Sequence, residues 1–154
     1  MVKLNEAKIK ELGLALPAPP RPVAAYVPAV KAGKLIFSSG QLPVVDGKLR
    51  HQGKVGGALA EADGYQAARI CALNCLSVIK EVAGTLDNVA RIVKITGYVN
   101  SAPGFTRQPF VINGASDLLE EIFGEAGRHA RSAVGVSELP LDAAVELEII
   151  VELK

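Results

Sequence analysis

Residues 143–153 read AAVELEIIVEL, and their alternation decides the fold. Val145, Leu147, Ile149, Val151 and Leu153 fall on one side of an extended chain, and Ala144, Glu146, Glu148, Ile150 and Glu152 fall on the other. A strand with one wholly apolar side belongs in a sheet whose inner face lies under helices. Upstream, RSAVGV (131–136) is a second strand and SELPLD (137–142) a turn. The same alternation places Val134 and Val136 on the core side and sends Arg131 and Ala133 to the face away from the helices. A simple hairpin centred near Leu139 would then set Arg131 opposite the Glu146–Glu148 region. Two readings of that pair stay open. One is a surface ion pair worth about 0–1 kcal/mol. The other is a carboxylate-binding arginine oriented by a glutamate, in a pocket where this face meets another subunit.

Working outward, residues 59–83 carry the longest helical periodicity, with Ala68, Cys71, Cys75, Val78 and Val82 on one stripe and Gln66, Arg69, Ser77 and Lys80 largely opposite. Gly84 is a suitable C-cap. Residues 90–100, ARIVKITGYVN, predict a strand, and a second helix is expected from Phe110 to Gly124. Between 25 and 39 two apolar runs flank Lys31-Ala32-Gly33 as a hairpin, and Asp46-Gly47 marks another tight turn. The glycine-bearing stretch 50–57 reads as a loop, with His51 at the surface. The order β-β-β-α-β-α-β-β predicts an α+β domain, a mixed sheet of five or six strands with two long helices on one face. Residues 1–22 form a separate prefix, a short helix over 3–13 and the proline-rich arm LALPAPPRP, ahead of a single domain at 23–154.

Composition narrows the function. The chain has 154 residues, 49% of them hydrophobic, with a net charge of +1, 5% aromatic residues and no tryptophan. That is enough apolar material for one core without disulfides or a structural metal. It leaves neither the basic patch nor the stacking aromatics that nucleic acid requires. No apolar run is long enough to span a membrane and the N-terminus does not read as a secretory signal, so a cytoplasmic location is expected. Cys71 and Cys75, four residues apart on one helical face, are either a redox or metal pair or two small core residues. The second is favoured because no further ligand stands at metal spacing.

The segments RSAVGVSELPLDAAVELE (131–148), YVPAVKAGKLIFSSGQLPV (26–44), VIKEVAGTLDNVARIVKITGYV (78–99) and VINGASDLLEEIFG (111–124) together resemble the RidA/YjgF family, formerly the L-PSP endoribonucleases. The resemblance covers about residues 23–154, and the C-terminal block is its specific part. It implies a chorismate-mutase-like, ferredoxin-like homotrimer with pockets between subunits and no metal or cofactor. The activity it implies is hydrolysis of reactive enamines and imines such as 2-aminoacrylate to 2-oxo acids and ammonia. By the same resemblance Arg131 binds the substrate carboxylate, Glu146 positions or activates water and Tyr26 comes from a neighbouring subunit. Asn113, Ser39, Gly40 and Ala133 line the pocket, Ala133 through its backbone. The chain departs from the family pattern in the prefix, in the 50–57 loop and at His129-Ala130, where Pro-Ala is usual. His129 is either a partly exposed loop residue or a substrate contact. A non-catalytic trimer sensing small carboxylates is the competing function. Ribonuclease or translation-inhibitor activity is disfavoured by the near-neutral charge.

Overall fold

Val89–Asn100, the 12-residue strand β5, is the axis of the molecule, because it is long enough to pair with one strand along each of its edges. A computed structural model describes residues 4–21 and 23–154. In chain order these form α1 (Asn5–Glu11), β1 (Ala29–Ala32), β2 (Leu35–Ser38), β3 (Val44–Val45), β4 (Lys48–Leu49), α2 (Glu61–Ala83), β5, α3 (Gln108–Phe123), β6 (Ala130–Val136) and β7 (Val145–Leu153). Five strands make the main sheet in the order β1-β2-β7-β5-β6, and β3 and β4 form a separate ribbon around Asp46-Gly47. This is the expected mixed α+β architecture.

The predicted β6–β7 hairpin is absent. β6 lies parallel to β5, with Arg131 beside Ile95 and Val134 beside Tyr98, whereas β7 runs antiparallel along the opposite edge of β5. Parallel neighbours need a crossover, and α3 supplies it, so β6 is delivered to the outer edge before the chain returns as β7. Face assignments for β6 are therefore reversed. Ile95 and its β7 partner Ile149 are buried under the helices, so Arg131 and Ala133 face the helix side, and Val134 is exposed on the open side.

Helices α2 and α3 pack on one another and on the sheet. Gly97 of β5 lets α3 come close: a Cβ there would lie 2.4 Å from Ile112 Cδ1. The two thiols of α2 are core groups. Cys75 Sγ donates to the Leu147 carbonyl at 3.2 Å, and burial pushes its pKa up to about 12.

The outer face of α2 is not the solvated surface that its polar residues suggested. Ser77 is buried because the arm crosses it, its Oγ donating to the Pro17 carbonyl at 2.6 Å, while Val82 is exposed. Asn74 is also buried, its Nδ2 shared between the carbonyls of Leu42 and Val44. The helix α1 is fastened nearby. Ile9 is 4% exposed and joins the core cluster, and Glu6 accepts hydrogen bonds from Thr85 Oγ1, Leu86 N and Lys80 Nζ. Within the 50–57 loop, Gly53 N donates to Asp142 O, and His51 is half-buried rather than at the surface.

Truncating a buried isoleucine removes about 2–5 kcal/mol in a packed core. Ile9→Ala is therefore expected to lower the unfolding free energy in urea by about 2 kcal/mol or more. A change within a few tenths would mean that α1 contributes nothing to the fold.

Candidate functional site

The predicted site residues fall into two groups on opposite sides of the sheet. On the helix side, at the edge strand β6, Arg131 Nη1 donates to Asn113 Oδ1 at 2.8 Å and to Ser116 Oγ at 3.1 Å, both on α3. Asn113 and Ser116 are three residues apart, so they lie on one helical face turned to β6. Ser116 was not anticipated, although its spacing from Asn113 carried the signal. Both acceptors are neutral. Among the described residues no carboxylate pairs with Arg131, and its Nη2 and Nε have no acceptor. The guanidinium is thus oriented with its charge uncompensated and half of its donor fork free, the arrangement that receives an anion.

A cavity of about 240 Å³ opens beside it, lined by Ser116, Asp117, Glu120, Arg128, His129 and Arg131 among others. Its acids are already engaged: Asp117 accepts from Tyr65 Oη at 2.7 Å and Glu120 from Arg128 Nε at 2.9 Å. His129 is half-buried, and both ring nitrogens are buried without a hydrogen-bond partner among the described residues. Burial, and secondarily the Arg131 charge, push its pKa down and keep the ring neutral. Ala133 lies two residues beyond Arg131 on the same side, partly buried against the core. Since β6 is an edge strand, one row of its backbone groups has no strand partner within the chain.

The second group is on the open face. Glu146 stands beside Tyr98 in the β5–β7 register, and Tyr98 Oη donates to Glu148 Oε1 at 3.1 Å. Burial first and the neighbouring Glu148 second raise the Glu146 pKa, so this carboxylate binds a proton more readily than an ordinary glutamate. Gly40 is packed against it, and a Cβ at Gly40 would lie 2.1 Å from Glu146 Oε1. That contact follows from the pairing of Gln41 with Leu147, whose N–H and C=O groups exchange hydrogen bonds. Ser39 Oγ donates to the Val27 carbonyl at 2.7 Å and holds the segment that carries Tyr26. Tyr26 and Gly40 line one cavity of about 490 Å³. The structure therefore brings Arg131 to Asn113 and Glu146 to Gly40, and it does not bring Arg131 to Glu146. The expected cross-strand pair is corrected, because β5 stands between their strands and the two side chains leave opposite faces. Tyr98 is the neighbour that the sequence reading did not name, whereas Glu148 was already on the Glu146 face by the Glu-x-Glu spacing.

Among the described residues no group of three or more His, Cys, Asp or Glu side chains converges to hold a metal ion, and no helix is long and apolar enough to cross a membrane.

The YjgF/chorismate-mutase-like endoribonuclease family matches residues 6–153. The chain belongs to the RidA/YjgF family. It is 47% identical over 148 residues to Protein TCP17 of Trypanosoma cruzi, covering 96% of this chain and 92% of that protein. It is 35% identical over 133 residues to the 2-iminobutanoate/2-iminopropanoate deaminase of Salmonella typhimurium, covering 85% and 89%. The crystal structure of Atu1372 from Agrobacterium tumefaciens superposes with a TM-score of 0.90 at 44% identity, over 97% of this chain and 92% of that one. The chorismate-mutase-like expectation for the fold is thereby met, and deaminases are among this RidA/YjgF chain's relatives.

The environment of His129 makes stability depend on pH. The unfolded chain takes up its proton near pH 6.5 and the native state only lower, so this contribution is present above about pH 6.5 and lost as pH falls below it. Urea midpoints of wild type and His129→Gln, compared at pH 7.5 and 5.5, should show the smaller acid loss in the variant. Equal losses would contradict the burial of a neutral ring.

Proposed function

We propose that the protein is a hydrolytic deaminase of reactive 2-enamino and 2-imino acids, producing 2-oxo acids and ammonia, at a site completed between protomers of a homotrimer. The observation that carries this reading is the Arg131 guanidinium, oriented by neutral acceptors and left without an acid among the described residues. Its free donors suit a planar substrate carboxylate, which Asn113 flanks. Glu146 is the group for the water. Its raised pKa favours proton uptake from the attacking water as oxygen bonds to the imine carbon. Return of that proton to nitrogen gives the neutral carbinolamine, and Glu146 then takes the hydroxyl proton and passes it to the amine, so that the carbonyl forms as the carbon–nitrogen bond breaks and ammonia leaves. An imine carbon is already electrophilic, so carboxylate anchoring, one placed water and one proton carrier suffice.

Because Arg131 and Glu146 leave opposite faces of one sheet, the proposed site takes Arg131, Asn113 and the Ala133 backbone from one protomer. Glu146, Tyr26, Ser39 and Gly40 come from the next. Assembly is supported by the open face, where Val30, Phe37 and Val134 are exposed although apolar. The deaminase relatives support the coarse activity. A carboxylate sensor without catalysis would use the same arginine but has no need of a proton carrier at Glu146.

With 2-aminoacrylate generated in place by a serine dehydratase and residual imine trapped by semicarbazide, wild type should lower the trapped fraction. Arg131→Ala should lose that effect, and Glu146→Gln should reduce kcat by about 100-fold or more. The acid limb of kcat/KM should lie above the pKa of an ordinary glutamate, since Glu146 must be ionised to accept a proton and its pKa is raised. A wild type that leaves the trapped fraction unchanged sinks the deaminase reading, and a monomeric mass in solution sinks the shared site.

A further inference from the structure

His129 stands beside the carboxylate anchor, and the hydrolytic chemistry gives it no task. Gly127 sets its position: a Cβ there would lie 2.2 Å from the Leu119 carbonyl oxygen, so the chain passes flush against α3 just before β6 begins. From Arg128 the backbone is extended, and its alternation carries His129 to the side of Arg131. Both line the 240 Å³ cavity together with Ser116 and Glu120. A neutral imidazole has one N–H to donate and one nitrogen to accept. Among the described residues neither finds a partner, although both nitrogens are buried. The acids around the cavity are committed elsewhere. On α3, Asp117 accepts from Tyr65 and Glu120 from Arg128, and Arg128 also faces Glu125. Of the charges that line the cavity, Arg131 is the one that no acid among the described residues answers.

That charge works against a proton on the ring. Burial first, and Arg131 second, hold His129 below the usual histidine range. An anion paired with the guanidinium cancels the repulsion, and linkage is reciprocal, so a proton on His129 must in turn strengthen the hold on the anion. We propose that His129 is a positioning residue of the Arg131 half-site that takes up a proton together with the substrate carboxylate and stands beside it as a second cation only while the anion is bound. The proton enters with the substrate and leaves with the 2-oxo acid, and no covalent bond is made or broken. Carboxylate is thereby held more tightly in mildly acidic solution. The inference rests on Arg131 as the carboxylate anchor, the part of the deaminase reading that it deepens, and it needs no imine hydrolysis.

The chain has two histidines, His51 and His129, so ring NMR can follow each titration, with His129→Gln assigning the pair. In saturating 2-oxobutyrate the His129 midpoint should rise by at least about 0.7 pH unit, equivalent to fivefold coupling, while that of His51 stays. Calorimetry should show wild type binding 2-oxobutyrate at least about threefold more tightly at pH 5.5 than at pH 7.5, the share of the coupling that titrates in this window. His129→Gln, shown to be folded by its binding at pH 7.5, should lose most of that gain. The inference is overturned by a midpoint that does not move in the bound protein, by a gain that survives in His129→Gln and so belongs to Glu146, or by no binding to wild type at either pH. Imine hydrolysis by the same wild type is scored separately. Hydrolysis with an unmoved His129 leaves the deaminase reading standing alone, and a moved His129 without hydrolysis keeps the proton-linked anion site and removes the deaminase.

Discussion

The shared strand β5 is the constraint on which the site depends. Its parallel ladder to β6 and its antiparallel ladder to β7 fix the parity of both neighbours, because side chains in register leave the sheet on the same side. A slip of one residue in β7 would bury Glu146 and Glu148 under the helices and expose Leu147 and Ile149, so the register is held by the core. That parity places Arg131 under the helices and Glu146 on the open face. Among the described residues, a cation without a carboxylate and a carboxylate without a cation are thus built into one chain and kept apart by its own sheet.

The electrostatics follow from this separation. Arg131 is oriented by the neutral acceptors Asn113 and Ser116, while Glu146 is half-buried against Gly40 and close to Glu148, which raises its pKa. A half-buried charge without a partner costs stability, and such costs concentrate where a ligand or another protomer supplies the missing group. On the proposed reading the substrate carboxylate answers Arg131, and the attacking water answers Glu146. The net charge of +1 is then no obstacle, since one directed arginine acts on one small anion.

Much of this was legible in the residues. The alternation of β7, the helical stripe of α2 and the Asp46-Gly47 turn are local patterns, and the structure keeps them because local preference and tertiary packing agree there. The partner of β6 was not legible. Alternation reveals that residues share a face but not which face, and the apolar side chains of Val134 and Val136 pointed to the core although Val134 is exposed on the open side. Ser77 was misleading in the same way: it lies opposite the apolar stripe of α2, yet it is buried because the Pro17 carbonyl lies over it. Among the site residues, the motif around Arg131 named a side chain that the structure sets against Asn113, as the resemblance implied, while Ser116 and Tyr98 became visible only through the register and the α3 contact.

The proposal that each site draws Arg131 from one protomer and Glu146 from the next is tested most directly by subunit complementation. Arg131→Ala and Glu146→Gln proteins, each inactive alone, are unfolded together, refolded as a mixture and assayed for imine hydrolysis. In a ring of heterologous interfaces, about a quarter of the sites should then pair an intact Arg131 with an intact Glu146, and turnover should return to that fraction of wild type. A mixture no more active than its parents, although mixed assemblies are seen by native mass spectrometry, would show that both groups act from one chain and would contradict the shared site.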